Sequence, residues 1–310
     1  MKDNSPQIVE YSTRDGARAS LRLFLADDPN APVIICVPAM GVRGRYYSAF
    51  AQMLRGSGFH VLTSDRRGVD SSSLRASRNC DFGYREIVDF DFPALFDVAR
   101  QRFPSNERLL LGHSLGGQLS ALYLSICPDA ASALILVAAG NVYYKGWSGL
   151  RRWRLLGNMV RLRALAALLG YVPAQTIGFA NDEARTVVVD WSNNCFTGRY
   201  VVANSTRDYE VSLQRLRKPV LAVSFELDQL APQGSVESLL AKLASSSITR
   251  RYFAADDAAI AQAGHFDWVK RAGAVVEAIR SWADATLSPE AATGESVAGD
   301  DQRIGTAEDS

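Results

Sequence analysis

The apolar residues of this chain follow two different spacings. Uninterrupted runs such as Val33–Val37 are typical of a strand buried on both faces of a sheet. Between such runs, apolar residues recur every three or four positions, which is typical of helices. Strands are expected at Gln7–Thr13, Ala17–Ala26, Val33–Val37, His60–Ser64, Arg108–Leu111, Ala133–Ala138, Pro219–Phe225 and Ile248–Phe253. Helices are expected at Tyr46–Leu54, Tyr84–Phe103 with a break near Pro93, Gly116–Ile126, Ser235–Ala244 and Phe266–Ala285.

This alternation predicts the fold class. Strands connected through helices form right-handed βαβ units, so we expect an α/β fold with a mostly parallel sheet. The first two strands are instead joined by the turn Arg14-Asp15-Gly16, which is a hairpin signal. They should add an antiparallel pair at one edge of the sheet.

Two segments break the alternation. Residues 141–218 lie between two expected strands and are far longer than an ordinary crossover, so we expect an insertion within one domain spanning 1–287. Residues 288–310 carry six acidic residues, one arginine and no aromatic residue. Such a segment cannot bury enough apolar surface to order itself, so a disordered acidic tail is expected there.

Composition excludes several classes of protein. The chain has 34 Lys and Arg against 33 Asp and Glu, and this net charge of +1 argues against a generic nucleic-acid binder. Its apolar runs are far shorter than the about 20 residues that cross a bilayer, and its N-terminus lacks the apolar core of a signal peptide. Four scattered cysteines without a Cys-x-x-Cys pair fit a reducing compartment, so we expect a cytoplasmic protein.

The strongest chemical signal is a Gly-x-Ser-x-Gly motif between a strand and a helix. Ser114 follows an apolar run, and Gly112 and Gly116 stand two residues on either side of it. A nucleophile on so tight a turn has a strained backbone, and the glycines keep neighbouring Cβ atoms from colliding there. The motif predicts that the Ser114 hydroxyl is lifted clear of the sheet, with the N–H of the next residue aimed at the substrate.

A serine hydroxyl needs a base, and the chain has three histidines. His60 lies inside an expected strand and is interpreted as a packed or edge residue. His113 adjoins Ser114, but its side chain should point away from the serine. His265 lies in a loop after the last strand, where sites gather in open α/β sheets. We therefore predict His265 as the base.

The base in turn needs a carboxylate that fixes its tautomer. Asp228 follows the strand at 219–225, and the order Ser114, Asp228, His265 is the one expected of an α/β-hydrolase triad. Glu226 competes for this role two residues earlier. We favour Asp228 because Pro232 follows where the loop should turn.

With these residues, the chain resembles the α/β-hydrolase superfamily over about residues 7–287. The loop Thr63–Ser72 looks like the family motif D-x-R-G-x-G-x-S, with Asp70 in place of the second glycine. The loop after Val37 stands where the family has its His-Gly oxyanion loop, with Pro38-Ala39 replacing that pair. By position, the resemblance implies an oxyanion hole from the backbone N–H groups of Met40 and Leu115. It is closest to a little-characterised bacterial branch that has a Trp-containing lid.

The insertion at 141–218 corresponds to the family's lid. Residues 141–180 contain no acidic residue but six basic ones, and they include Tyr143, Tyr144 and Trp147. The three aromatic residues are candidates for an apolar acyl pocket over Ser114. The basic residues are most simply solvated surface charge, with weak contact to a membrane surface as an alternative.

Together these features predict a serine hydrolase that cleaves an ester or thioester of a small to medium apolar acyl group through an acyl-enzyme. An acyltransferase, a C–C hydrolase or a peptidase would share the triad, and a ligand-binding homologue could retain it without turnover. The chain has neither a dinucleotide nor a phosphate-loop motif, and its His, Asp and Glu residues lack metal-ligand spacing. We expect a small-molecule acyl substrate, no cofactor, no metal and no nucleic acid. The oligomeric state is left open.

Overall fold

A computed structural model describes residues 5–174, 181–260 and 262–287 of the chain. The acidic segment 288–310, expected to be disordered, lies outside the described residues. In the described part, eight strands form one sheet in the order β1-β2-β4-β3-β5-β6-β9-β10. These strands are β1 Gln7–Ser12, β2 Arg18–Phe24, β3 Val33–Val37, β4 His60–Ser64, β5 Arg108–His113, β6 Ala133–Val137, β9 Pro219–Phe225 and β10 Ser247–Phe253.

The sheet has the predicted mixture of directions. β1 pairs antiparallel with β2, and β2 pairs antiparallel with β4. The remaining neighbours, from β4 through to β10, are all parallel. A mostly parallel α/β sheet with an antiparallel edge is therefore confirmed.

Helices cover both faces of this sheet. They are α1 Ser48–Gly56, α2 Tyr84–Glu86, α3 Phe92–Arg102, α4 Leu115–Ile126, α5 Gly149–Leu169, α6 Arg185–Thr197, α7 Tyr209–Arg215, α8 Gln233–Leu240 and α9 Gly273–Leu287. One apolar core lies under α1 and α9. A second core lies under α3, α4, α7 and α8. Because both faces are covered, the central strands β3 and β6 are apolar along their whole length.

Two helices differ from their predicted course. The helix expected at 84–103 consists of α2, a π-helical turn at Ile87–Asp91, and α3 with Pro93 in its first turn, where a missing N–H is tolerated. The helix expected at 266–285 is divided into a 3₁₀ turn at Asp267–Arg271 and α9. Trp268 in that turn is fully buried, and its ring packs edge-on against Phe50 of α1.

The inserted segment, residues 141–218, connects β6 to β9. It holds α5, the short antiparallel pair β7 (Tyr171–Val172) and β8 (Glu183–Ala184), then α6 and α7. α5 packs against α6, and α7 packs against α4 beside the sheet. In the described parts of the chain, every helix is too short or too polar to pass through a lipid bilayer.

Candidate active site

Ser114 stands on a sharp turn between β5 and α4. Its φ is 55° and its ψ is −122°, a backbone conformation that is costly for a residue with a side chain. A Cβ at Gly112 would lie 2.4 Å from the backbone of Gly117, and one at Gly116 would lie 2.4 Å from the carbonyl oxygen of Val37. Both positions of the motif therefore require glycine for the turn to close.

The structure brings Ser114, His265 and Asp228 together from three distant parts of the chain. The Ser114 Oγ lies 2.8 Å from His265 Nε2. The His265 Nδ1 lies 2.8 Å from Asp228 Oδ2 and 3.0 Å from Oδ1. These are hydrogen-bond distances, so Asp228 holds the Nδ1–H tautomer and leaves Nε2 free to accept the serine proton.

Asp228 is fixed by its own loop. Its carboxylate is buried, and its Oδ1 accepts the N–H groups of Leu230 and Ala231, each at 2.8 Å. Glu226, the competing acid, is exposed and turns away from the histidine to accept the N–H of Ala255. The loop after β9 therefore points the Asp228 carboxylate toward His265 and the Glu226 carboxylate toward Ala255.

His113 lies beneath the site and, as expected, does not face Ser114. Its Nε2 is 2.8 Å from the carbonyl oxygen of His265, and its Nδ1 is 2.7 Å from the Tyr47 hydroxyl. Burial, with a smaller contribution from neighbouring His265, holds the pKa of His113 well below its usual range. The neutral ring therefore donates from Nε2 to His265 and accepts the Tyr47 proton at Nδ1.

The same chain of hydrogen bonds reaches the loop after β3. The N–H of Ala39 donates to the Tyr47 hydroxyl at 3.1 Å. Ala39, Tyr47, His113 and the backbone of His265 therefore form one buried path from the proposed oxyanion loop to the base. His113 was assigned no function from the sequence, because neighbours in space such as Tyr47 are not visible in a motif.

Met40 and Leu115, the residues of the expected oxyanion hole, lie near Ser114. Both line the same cavity as the serine. Leu115 is the first residue of α4, so its N–H has no partner within the helix. The Val37 and Pro38 carbonyls approach Gly116 closely, which brings the Met40 loop against the start of α4.

In the loop Thr63–Ser72, the surroundings of Asp70 account for the one residue that departs from the family motif. Asp70, in the place of the second glycine, has a positive φ of 40°. Its carboxylate pairs with Arg43 at 3.9 Å and Arg45 at 3.6 Å, both next to the Met40 loop. Asp is one of the few residues with a side chain that tolerate this backbone region.

A cavity of about 110 Å³ opens beside Ser114. Its wall is mainly apolar, and besides Ser114, His265 and the indole N–H groups of two tryptophans the polar lining group is the amide of Gln118. Gln118 lies one helical turn after Ser114, and its Oε1 accepts the Tyr200 hydroxyl at 3.3 Å. The apolar lining residues are Ala39, Met40, Leu115, Val142, Trp147, Leu155, Trp191, Leu230, Ala231 and Phe266.

Of the three aromatic candidates in the inserted segment, Trp147 lines the cavity, and its indole N–H donates to the Gln229 carbonyl at 3.2 Å. Tyr143 and Tyr144 are not among the lining residues. The Tyr143 ring packs over Gly198, and the two tyrosine rings meet edge-on beneath the Lys145 ammonium. Gln118 could have been predicted as a lining residue, because it lies one helical turn after Ser114. Trp191 and Leu230 come from distant parts of the chain, and only the tertiary fold brings them to the cavity.

The inserted segment also contacts the Met40 loop through buried polar groups. Asn181 Nδ2 donates to the Gly41 carbonyl at 2.6 Å, and Glu183 pairs with Arg66 at 2.6 Å. Burial raises the pKa of Glu183, opposed by the Arg66 charge and by a backbone hydrogen bond from Gly41. Two other guanidinium nitrogens of Arg66 have no partner in the described part of the chain, so Glu183 is the main compensation for a buried cation.

A family model described as the alpha/beta hydrolase fold matches residues 32–269 of the chain. A monoacylglycerol lipase of Mycolicibacterium smegmatis is 31% identical over 109 residues, which are 35% of this chain and 38% of that relative. The matched part of the chain thus spans little more than a third of the relative's length.

Solved structures resemble the whole fold at low sequence identity. Est1E of Butyrivibrio proteoclasticus, solved with ferulic acid bound, has a TM-score of 0.62 at 15% identity and covers 89% of this chain and 98% of its own. The thioesterase domain from the curacin biosynthetic pathway has a TM-score of 0.55 at 16% identity, covering 88% and 99%. At these identities the likeness concerns the fold.

Proposed function

The chain belongs to the alpha/beta hydrolase fold family, and from that premise we propose that it is a serine hydrolase acting on an ester or thioester of a small to medium apolar acyl group. The observation that carries the proposal is the continuous path Ser114 Oγ, His265 Nε2, His265 Nδ1, Asp228, with both links at 2.8 Å. Similarity to a monoacylglycerol lipase and to esterase and thioesterase structures supports ester chemistry.

In the proposed mechanism His265 accepts the Ser114 proton as the oxygen attacks the acyl carbonyl. The N–H groups of Met40 and Leu115 stabilise the oxyanion, and such a donor contributes about 3 kcal/mol. Asp228 stabilises the imidazolium without taking its proton. His265 then protonates the leaving alcohol or thiol, and water releases the acid by the reverse sequence.

The cavity supports an apolar acyl group. Trp147, Leu155 and Trp191 from the inserted segment face the same space as Met40 and Leu115, so the segment would act as a lid that supplies acyl specificity. The Gln118 amide would hydrogen-bond one polar substituent on an otherwise apolar acyl chain. The catalytic domain would then span 1–287, with its lid at 141–218.

A panel of p-nitrophenyl esters of graded chain length, with a matching acyl-CoA series, tests the activity. We expect turnover of short and medium acyl groups that Ser114→Ala abolishes. Ser120→Ala is the matched control, because Ser120 lies in α4, the helix that follows Ser114, with a buried hydroxyl that has no partner in the described residues. Product transfer to an added alcohol or amine would reassign the protein as an acyltransferase. Ligand binding without turnover of either series would overturn the enzymatic assignment.

A further inference from the structure

Helix α5 turns an apolar stripe toward solvent. Leu150, Trp153, Val160 and Leu168 are 81%, 63%, 59% and 75% exposed. They are separated by steps of three, seven and eight residues, which place them on one side of a helix. The helix has 21 residues and is about 30 Å long, so the stripe runs along nearly its whole length. Exposed apolar surface of this extent marks an interaction site.

Basic side chains lie beside the stripe. Arg151, Arg154 and Arg161 are exposed, and no acidic group among the described residues forms an ion pair with them. α5 contains no acidic residue. The two remaining arginines of α5 point inward. Arg152 bonds the Trp147 carbonyl at 3.2 Å, and Arg163 bonds Ser192 and Asn193 at 3.0 Å and 2.6 Å.

The same helix reaches the cavity. Leu155 of α5 lines the space beside Ser114. At the start of α5, Arg151 shares a shallow depression with Leu227 and Gln229. The next residue of that loop, Leu230, lines the cavity and is 55% exposed. The start of α5 therefore lies beside an exposed apolar part of the cavity rim, while Leu155 faces the cavity from the side of the helix opposite the stripe.

We propose that α5 docks the protein on an anionic lipid surface. Leu150, Trp153, Val160 and Leu168 enter the boundary between headgroups and acyl chains, and the three exposed arginines pair with lipid phosphates. A long apolar stripe bordered by bases and carrying a tryptophan has the composition of a helix that lies in the plane of a membrane. A lipid surface needs no shape complementarity, and three exposed bases without acidic partners favour an anionic surface over a neutral one.

Vesicle binding tests this proposal with the full chain. Phosphatidylcholine vesicles are compared with vesicles containing 30% phosphatidylglycerol, using sedimentation and tryptophan fluorescence. Trp153 is exposed, whereas Trp191 is half-buried in the cavity wall and Trp147, Trp268 and Trp282 are buried, so a blue shift on binding should disappear in Trp153→Phe. We expect binding to the anionic vesicles that weakens as salt is raised.

The variants separate the two contributions. Arg154→Gln with Arg161→Gln should weaken binding to anionic vesicles by about 30-fold, at about fivefold per base. Leu150→Ser with Val160→Ser should weaken it at least as much. The matched controls are Arg14→Gln with Arg102→Gln, two exposed bases elsewhere, and Ile8→Ser, which is 59% exposed like Val160. These controls should bind as the wild type does.

Two results would overturn the proposal. One is the absence of binding to anionic vesicles. The other is binding that the α5 variants leave unchanged. An acidic carrier protein that shifts Trp153 fluorescence while vesicles do not would reassign the surface to a protein partner. Ser114→Ala should bind vesicles normally, so loss of docking and loss of catalysis are distinguishable.

Discussion

The two halves of the candidate active site are held in place by different forces. The floor carries Ser114, Asp228 and His265 at the ends of parallel strands, over two large apolar cores. The inserted segment that covers it has two small buried clusters of its own. The clusters consist of Val142, Trp147, Met159 and Cys195, and of Ala166, Val172, Ala174 and Val188.

The inserted segment, residues 141–218, is called the cover below. Buried polar contacts supplement its two small apolar clusters. Glu183 pairs with Arg66, Asn181 binds the Gly41 carbonyl, and Asp190 accepts the N–H groups of Tyr84 at 2.9 Å and Ala203 at 2.7 Å. Apolar packing tolerates small changes, whereas a buried charge that loses its partner is strongly destabilising. The floor should therefore respond to substitution mainly in activity, and the cover mainly in stability and specificity.

The largest effect is expected on the floor, at the two carboxylates after β9. Asp228→Asn should lower kcat/KM by about 10⁴-fold, because the amide would favour the wrong tautomer of His265. Glu226→Gln should stay within about twofold, because the Glu226 side chain is exposed and accepts a hydrogen bond only from the Ala255 backbone among the described residues. Steady-state kinetics on one p-nitrophenyl ester measures both variants. An equal loss of kcat/KM in both variants would contradict the assignment of Asp228, rather than Glu226, as the partner of His265.

The next effect concerns the cover. Glu183→Ala should lower the free energy of unfolding by about 3–5 kcal/mol, because it leaves the Arg66 guanidinium buried without its acidic partner. Urea unfolding measures the loss, and hydrogen exchange should show earlier opening at α6 than at β5. The control is Glu237→Ala, which removes an exposed pair with Arg250 and should cost less than about 1 kcal/mol. Equal costs would contradict the difference between floor and cover.

The third effect is a pH dependence of the cover. Burial raises the pKa of Asp190 to about 7, against the two backbone N–H groups that favour its carboxylate. In the unfolded chain the pKa of Asp190 is near 4, its ordinary value. Between pH 4 and pH 7 the folded state therefore holds this proton more often than the unfolded state, and the contribution of Asp190 to the free energy of unfolding falls as pH rises. From pH 5 to pH 8 the loss is up to about 3 kcal/mol.

Urea midpoints at pH 5 and pH 8 measure this contribution. Asp190→Asn should have a flatter profile than the wild type across that window, because no carboxyl titrates at this position. The exposed carboxyl of Asp129 supplies the control, since Asp129→Asn should leave the profile unchanged. If the urea midpoints of the wild type and Asp190→Asn change equally with pH, Asp190 is not the group responsible for the pH dependence.

The smallest effect concerns specificity. Trp147→Ala should shift the preferred ester toward longer acyl chains, with a change of about tenfold in the ratio of kcat/KM values, because the indole lines the cavity. Tyr143→Phe and Tyr144→Phe should leave the ratio unchanged, since neither residue lines the cavity. A shift in the tyrosine variants with none in Trp147→Ala would reverse the description of the pocket wall.

The floor was more predictable than the cover for a physical reason. A strand buried on both faces must be apolar, and a strained elbow must have glycine on both sides, so β3 and Ser114 are readable from local sequence. The contacts of Asn181 with Gly41 and of Glu183 with Arg66 join residues more than a hundred positions apart. No local pattern encodes such pairs, nor the break before α9 that buries Trp268.

Covalent labelling tests the central claim most directly. A fluorophosphonate should form one adduct per chain, and peptide mapping should place it on Ser114, because His265 activates that hydroxyl. Ser120→Ala should be labelled like the wild type, and His265→Ala should be labelled far more slowly. An adduct on another residue, or equal labelling of Ser114→Ala and wild type, would contradict the account.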